Sequence, residues 1–202
     1  MKSNSEIRKD ARDMLSGKWG MSIVAGIIII IAESAISEAG FLITIFAYYP
    51  FVIGICITFS HLYKHGEVKI EKLFDAYNSR YYIKSVTTCL LVNIYTFLWT
   101  LLLIVPGIIK GLAYSQSTYI ISEEPELSAE EAINRSIDMM EGYKMRLFLI
   151  MLGEFGLALA SMLLLGIPLL WIVPYYQAIY TRFYYELKEE YNSRVTISYI
   201  EQ

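Results

Sequence analysis

A few polar side chains inside apolar stretches are the residues of this chain best placed to do chemistry. Glu154 is the clearest case, because it stands about nine residues, or roughly 13 Å at the helical rise, into an apolar run. An isolated carboxylate near the middle of a bilayer costs about 2.5 kcal/mol or more, so it should be protonated, paired or turned toward other helices. Candidate partners at a comparable depth are Arg182, Gln177, Asn93 and, less directly, Lys110.

Glu154 has two interpretations. As a functional group, it would couple a proton or a cation to transport. As a structural group, it would form a buried ion pair with Arg182. The sequence favours the ion pair, because no motif in the chain indicates a transport path.

Lys110 follows the Pro106-Gly107 pair by about one turn and lies beside a stripe of small residues, Gly107, Gly111 and Ser115. Such a stripe lets a second helix approach closely. The lysine could bind an anionic substrate or pair with a carboxylate in a cavity. It could equally extend to the outer membrane interface, and both interpretations stay open.

The remaining polar residues predict neither a metal site nor a catalytic residue. Glu33 and Glu38 close the first apolar run and are predicted to be solvated loop acids. His61 and His65 have a metal-compatible spacing, but two ligands do not complete a zinc site. The chain has no glycine-rich nucleotide loop and no nucleophile elbow. We therefore expect no metal, no cofactor and no enzymatic activity.

Composition points to a membrane as the solvent of the elements that position these residues. The chain has 202 residues, of which 55% are hydrophobic and only 18% charged, whereas soluble domains carry about 25% charged residues. Mean hydropathy is +0.44. The net charge of −3 excludes a strongly basic nucleic-acid-binding protein.

Six apolar runs approach or reach the roughly 17–25 residues that a membrane-spanning helix needs. They cover about 20–36, 41–63, 82–105, 107–122, 145–165 and 168–187. Amphipathic segments precede the first, third and fifth runs. The sequence therefore predicts an all-α membrane protein with six transmembrane helices, arranged as three helical hairpins with amphipathic cytoplasmic linker helices.

The three amphipathic segments follow a helical period, and each has an apolar face. Residues 3–18 also carry several cations, which favours contact with a lipid surface. Residues 128–142 begin with a Ser128–Glu131 capping box. The tail after Arg194 alternates like a strand. The predicted apolar faces are Ile7, Ala11, Met14 and Leu15; Ile70, Leu73, Phe74 and Tyr77; and Ala129, Ile133, Ile137 and Met140.

The distribution of cations predicts the orientation. Of the 17 lysines and arginines, Lys110 alone falls on the far side when the N-terminus is taken as cytoplasmic. This bias predicts that both termini are cytoplasmic. Aromatic residues are expected to mark the two interfaces, with Trp19 on the inner side and Trp171 and Tyr175 on the outer side. The chain would form one polytopic domain, 1–202, with internal repeats at about 3–63, 66–122 and 128–187.

Three stretches also resemble a known family. They are S-E-I-R-K-D-A-R-D-M-L-S-G-K-W-G at the start, the P-G-I-I-K-G-L-A-Y-S-Q block and the S-x-E-E-A-I-x-x-S segment. The chain resembles the bacterial integral-membrane proteins of the domain-of-unknown-function family 975. That family is similar to the membrane domain attached to some glycerophosphodiester phosphodiesterases. The resemblance implies a multi-pass protein of the bacterial plasma membrane and brings no catalytic residues.

These observations predict a non-enzymatic membrane protein that binds or positions a partner protein or a lipid. The alternative is a small transporter or channel that uses Glu154 and Lys110. Membrane lipids and a membrane or cytoplasmic protein are the expected partners, a homo-oligomer stays open, and nucleic acid is not expected.

Overall fold

The computed structural model describes residues 2–37, 40 and 43–200, and within these residues all regular structure is helical. A π-helical turn, Thr44–Tyr48, precedes α3, and a 3₁₀ helix, Ile70–Tyr77, lies between α3 and α4. The predicted all-α class is therefore confirmed. The α-helices are α1 (Asn4–Leu15), α2 (Trp19–Ser37), α3 (Tyr49–His65), α4 (Ser79–Leu102), α5 (Ile104–Tyr114), α6 (Ser117–Glu123), α7 (Ala129–Met139), α8 (Lys144–Met162) and α9 (Leu169–Ile200).

Capping boxes start two of the amphipathic helices. The Ser128 backbone N–H donates to the Glu131 carboxylate at 2.7 Å, and the Glu131 N–H donates to the Ser128 hydroxyl at 3.2 Å. The same exchange joins Ser3 to Glu6 at the start of α1. These bonds satisfy N–H groups that have no partner within the helix. The predicted capping box at Ser128 is confirmed.

Three helical segments are long and apolar enough to cross a membrane: Ile45–His65, Arg80–Leu102 and Lys144–Met162. A fourth candidate arises if α1 and α2, which meet at 105°, are taken together as one broken span. By length and composition, the described residues therefore support three or four spans, fewer than the six predicted.

The predicted fourth span is interrupted, because α5 ends at Tyr114 and α6 begins at Ser117. Ser136 of α7 explains the interruption. Its hydroxyl donates to the Ala113 carbonyl at 2.7 Å and accepts from the Gln116 N–H at 3.1 Å. A side chain from another helix thus takes the place of helical backbone bonds. The two pieces have 11 and 7 residues, so neither is long enough to span a bilayer alone.

The turn between α4 and α5 falls at Leu103 and not at Pro106, the residue that separates the predicted apolar runs 82–105 and 107–122. Leu103 is extended, with φ −159°. Pro106 lies in the first turn of α5, where a backbone N–H has no helical acceptor and its absence costs nothing. The proline thus helps to start α5.

The linker at Ile70–Tyr77 buries a different face from the one predicted for an α-helix. Leu73 and Ala76 are fully buried and Ile70 is half-buried, whereas Phe74 and Tyr77 are exposed. A 3₁₀ helix has three residues per turn, so positions 70, 73 and 76 align on one face. The predicted pairing of Leu73 with Phe74 and Tyr77 assumed 3.6 residues per turn and is wrong.

The helix α1 buries its apolar face against protein instead of lipid. Ile7, Ala11 and Leu15 have no exposed surface, and α1 packs on α9, where Arg182 binds Asp10. The contact with a lipid surface that we predicted from the cations of this segment stays a prediction, but the buried apolar face takes no part in it. In the same way, α7 packs on α5 and α6 through Ser136.

The aromatic residues do not separate into the two predicted belts. Trp19, expected at the inner interface, lines a small cavity together with Trp171 and Tyr175, which were expected at the outer one. Arg12 lines the same cavity. The packing of α1 along α9 brings these residues together, which sequence position alone did not indicate.

The C-terminal tail is helical and not strand-like, because α9 continues to Ile200. The Ser193 hydroxyl donates to the Glu189 carbonyl and the Thr196 hydroxyl donates to the Asn192 carbonyl, each at 2.9 Å. A helix satisfies its backbone within one chain, whereas a lone strand needs a second strand.

The buried core and the exposed apolar surface lie in different parts of this fold. Phe59, Leu62, Phe183, Tyr184 and Leu187 of α3 and α9 are buried in the core. By contrast, the turn Leu101–Val105 is 65–73% exposed and Leu165, in the turn before α9, is 92% exposed. Apolar surface of this extent marks a membrane or partner contact. The three internal repeats stay a prediction.

Candidate functional site

Glu154 lies on α8 and accepts a hydrogen bond from the hydroxyl of Tyr180 on α9. Arg182, its predicted partner, is bound elsewhere. The Arg182 guanidinium lies 2.6 Å from Asp10 and 3.4 Å from Glu186, and it covers the ring of Tyr63 at 4.9 Å. The predicted Glu154–Arg182 ion pair is therefore wrong.

The group around Arg182 ties the N-terminus to α9. The Lys2 ammonium lies 2.7 Å from Asp10 and 3.6 Å from Glu186. Asp10 and Glu186 thus each interact with two cations, Lys2 and Arg182. The arrangement fixes α1 on α9 and accounts for the charge of Arg182 without Glu154.

The other predicted polar residues lie at separate places. The Lys110 ammonium covers the ring of Trp99 at 5.0 Å, a cation–π contact between α5 and α4. The Asn93 amide donates to the Cys89 carbonyl one turn earlier, at 2.8 Å, and the residue is exposed. The stripe beside Lys110 does bring helices close, since a Cβ on Gly107 would lie 2.1 Å from the Thr100 hydroxyl.

Gln177 and Tyr180 line one polar cavity of about 290 Å³. Glu33 and Tyr48 line the same cavity, and the Tyr48 hydroxyl donates to Glu33 at 3.4 Å. Because Glu33 is exposed, it lies at the rim of the cavity. Glu33 was predicted to be a loop acid, but it is a residue of helix α2. Glu38 lies outside the described residues.

Gln116 supplies a further polar group to the cavity wall. The residue is only 4% exposed, and its side-chain N–H donates to the Ser115 hydroxyl at 2.9 Å. Its Oε1 atom is buried and has no hydrogen-bond partner among the described residues. The interruption between α5 and α6 presents this side chain. A glutamine inside the fourth apolar run was the signal in the sequence, and the prediction missed it.

A second cluster surrounds Glu123 at the end of α6. Its carboxylate lies 2.6 Å from the ammonium groups of Lys64 and Lys188, and the hydroxyls of Tyr184 and Tyr185 donate to it at 2.7 and 2.9 Å. Burial raises the pKa of Glu123, but bonds from Lys188, Lys64 and Tyr184 outweigh burial and lower the pKa to about 2. The sequence prediction missed this cluster, because its members are far apart in the chain.

An apolar groove of about 490 Å³ lies between the α4–α5 hairpin and α8. Its walls include Ile108, Leu112, Phe148, Leu152 and Phe155. A hydroxyl also lies in this wall, since Thr96 Oγ1 is buried without a hydrogen-bond partner in the described part of the chain. The groove therefore combines apolar walls with three hydroxyl residues, Thr96, Thr100 and Ser115, of which the last two donate to backbone carbonyls.

The part of the chain that the structure describes is therefore helical, with three spans suited to a membrane by length and composition, or four if α1 and α2 count as one broken span. The sequence model of a family of unknown function, DUF975, matches residues 1–110 and 101–191. The chain belongs to this family, as the resemblance in its sequence implied. Comparisons with curated proteins and with solved structures found no match.

Proposed function

We propose that this chain is a multi-pass protein of the bacterial plasma membrane that binds or positions a lipid and catalyses no reaction. The apolar groove between the α4–α5 hairpin and α8 carries this proposal. It lies among helices whose outer faces are apolar and exposed, so its natural occupant is a hydrocarbon chain. The unpartnered Thr96 hydroxyl could donate to an ester carbonyl of that lipid.

The proposed topology has six crossings and cytoplasmic termini. Contacts between distant segments support a common polar end. The Asn4 amide donates to the Arg146 carbonyl at 3.1 Å, and Lys64 and Lys188 meet at Glu123. The cations Arg146, Lys64 and Lys188 come from three separate segments that the charge bias assigns to the cytoplasm. A kinship with the membrane domain of glycerophosphodiester phosphodiesterases is part of the same proposal.

Lipid binding in the groove can be tested by filling the groove with a larger side chain. Leu152 lines the groove, whereas Leu149 lies on the same helix, is similarly exposed and is not a residue of the groove wall. We expect Leu152→Trp to lower the amount of phospholipid that copurifies in mild detergent, and Leu149→Trp to leave it unchanged. Mass spectrometry of extracted lipids gives the measurement. Equal lipid retention in both variants would contradict the proposal.

Cation transport is a second candidate, and the polar cavity favours it. The route that uses Glu154 and Lys110 together would need two separate sites, because Glu154 binds Tyr180 and Lys110 covers Trp99. Reconstitution in liposomes tests this candidate. Proton or cation flux that is lost in Glu154→Gln would support transport, and flux equal to that of empty liposomes would exclude it.

A further inference from the structure

The polar cavity has the charge of a site for a cation. Glu33 lies at its rim, and Tyr180 in its wall connects it to Glu154. Of the residues that the structure describes, no lysine or arginine lines this cavity. The Glu33 carboxylate accepts a hydrogen bond from Tyr48 and is exposed at the rim, so a cationic group that enters the cavity can pair with it.

Gln116 independently indicates an occupant that donates hydrogen bonds. Its buried Oε1 atom is an acceptor without a partner in the described residues. A buried acceptor that stays unpaired destabilises the protein, because it has lost its bonds to water and gained none. Since Gln116 lines the cavity, an N–H group inside the cavity could satisfy it.

The size and walls of the cavity favour an organic cation over a metal ion. The volume of about 290 Å³ is at the lower end of sites for small molecules, which span roughly 300–1,000 Å³. Within the described residues, no cluster of three His, Cys, Asp or Glu side chains could hold a metal. Three tyrosines, Tyr48, Tyr119 and Tyr180, contribute aromatic rings to the walls, and such rings attract ammonium groups.

The cavity also adjoins the apolar groove. Ser115 and Met151 belong to the walls of both. A molecule with a polar head and an apolar tail could therefore place the head in the cavity and the tail in the groove.

We infer that the cavity binds the N–H-bearing ammonium group of an amphiphilic amine whose tail occupies the groove. Glu33 pairs with the charge, and Gln116 Oε1 accepts an N–H bond. Tyr180, whose hydroxyl donates to Glu154, contributes its ring to the cavity wall. This inference rests on the proposed lipid binding and adds the chemical class of the headgroup.

Two probes with the same tail test the headgroup site. Octylammonium and octanol are titrated calorimetrically into the full chain in micelles of a neutral maltoside detergent. Hydrogen bonds to charged groups are stronger than neutral ones, so we expect octylammonium to bind at least about tenfold more tightly than octanol. Glu33→Gln and Gln116→Met should each remove most of this preference. Glu130→Gln, an exposed position on α7, should retain it.

Thermal unfolding midpoints establish that each variant is folded. If Glu33→Gln does not fold, Gln116→Met still tests the headgroup site. Equal binding of the two probes by the wild-type chain would overturn the inference. So would a preference that survives in both folded variants. If Leu152→Trp loses lipid while the probes bind equally, the groove stands and the headgroup site is wrong. If the ammonium preference holds while Leu152→Trp retains its lipid, the placement of the tail in the groove is wrong.

Discussion

Glu154 and Arg182 lie on adjacent helices, yet each has a different partner. The hydroxyl of Tyr180 satisfies the Glu154 carboxylate, and Asp10, which comes from the other end of the chain, neutralises Arg182. Charge and depth made the Glu154–Arg182 pair plausible. The packing of α1 on α9 places Asp10 beside Arg182 instead. This contact joins residues far apart in the chain, so the spacing of residues in the sequence does not predict it.

Glu123 makes the stability of the fold depend on pH. Its pKa falls from an ordinary 4.5 to about 2 in the folded state, so the ionised form stabilises the fold by up to about 3 kcal/mol. This stabilisation is complete above about pH 4.5 and is lost as pH falls toward 2. We expect Glu123→Gln to lower the free energy of unfolding at pH 7 and to approach the wild type at low pH.

Denaturation in detergent at a series of pH values measures this difference. Glu130→Gln changes an exposed glutamate and serves as the control, which should match the wild type throughout. A difference between Glu123→Gln and the wild type that stays constant from neutral pH to about pH 3 would contradict the assignment of the low pKa.

At the scale of elements, Gly54 determines how closely the 3₁₀ helix approaches α3. A Cβ at this position would lie 1.9 Å from the carbonyl oxygen of Leu73, which is backbone and has little freedom to move. Overpacking of a core usually costs about 1–3 kcal/mol. We expect Gly54→Ala to cost at least this much in thermal unfolding.

Gly156→Ala is the matched control, because in the described residues no atom beyond its chain neighbours and the nearby backbone of α8 lies within 4 Å of the Cβ it would add. It should be neutral or stabilise α8 by up to about 1 kcal/mol. Similar effects of the two substitutions would show that the contact between Gly54 and Leu73 does not limit the packing.

The two apolar turns can stay in hydrocarbon because their backbone groups are bonded. The Leu103 N–H donates to Trp99 at 3.1 Å and the Gly166 N–H donates to Ser161 at 2.9 Å. Lipid tolerates turns only when such groups have partners. In a chain with Cys56 and Cys89 replaced, we expect Leu103→Cys and Leu165→Cys to resist a water-soluble maleimide in intact membranes.

The cysteines introduced by Leu103→Cys and Leu165→Cys should both react with the maleimide after detergent denaturation. This reaction would show that each thiol can be labelled once it is accessible. Asn192→Cys, at an exposed position near the end of α9, is the control and should react once the membranes are made permeable. Rapid labelling of either turn in intact cells would place it in external water.

At the scale of the whole molecule, polar contacts join segments that are far apart in the chain. Asn4 of α1 binds Arg146 of α8, and Glu123 of α6 binds Lys64 of α3 and Lys188 of α9. The proposed topology places both termini in the cytoplasm. We expect fluorescent-protein fusions at either terminus to be bright and alkaline phosphatase fusions there to be inactive, because these reporters act on opposite sides of a bacterial plasma membrane.

A phosphatase fusion after Gly40 serves as the opposite control and should be active. Active phosphatase at the C-terminus, with an inactive fusion at the N-terminus, would show an odd number of crossings and contradict the proposed topology.

The sequence by itself determined the helical class, the apolar runs, the Ser128 capping box and the family. These features depend on local composition and spacing, which each segment carries alone. Tertiary structure alone decided the partners of Arg182, the interruption between α5 and α6 and the cluster at Glu123. Each depends on which helices dock together. Ser136 breaks a helix it follows by 20 residues or more, and Asp10 reaches a helix 172 residues away. Several different pairings of acidic and basic side chains would neutralise the same charges, so the sequence leaves the choice open and the packing of the helices decides it.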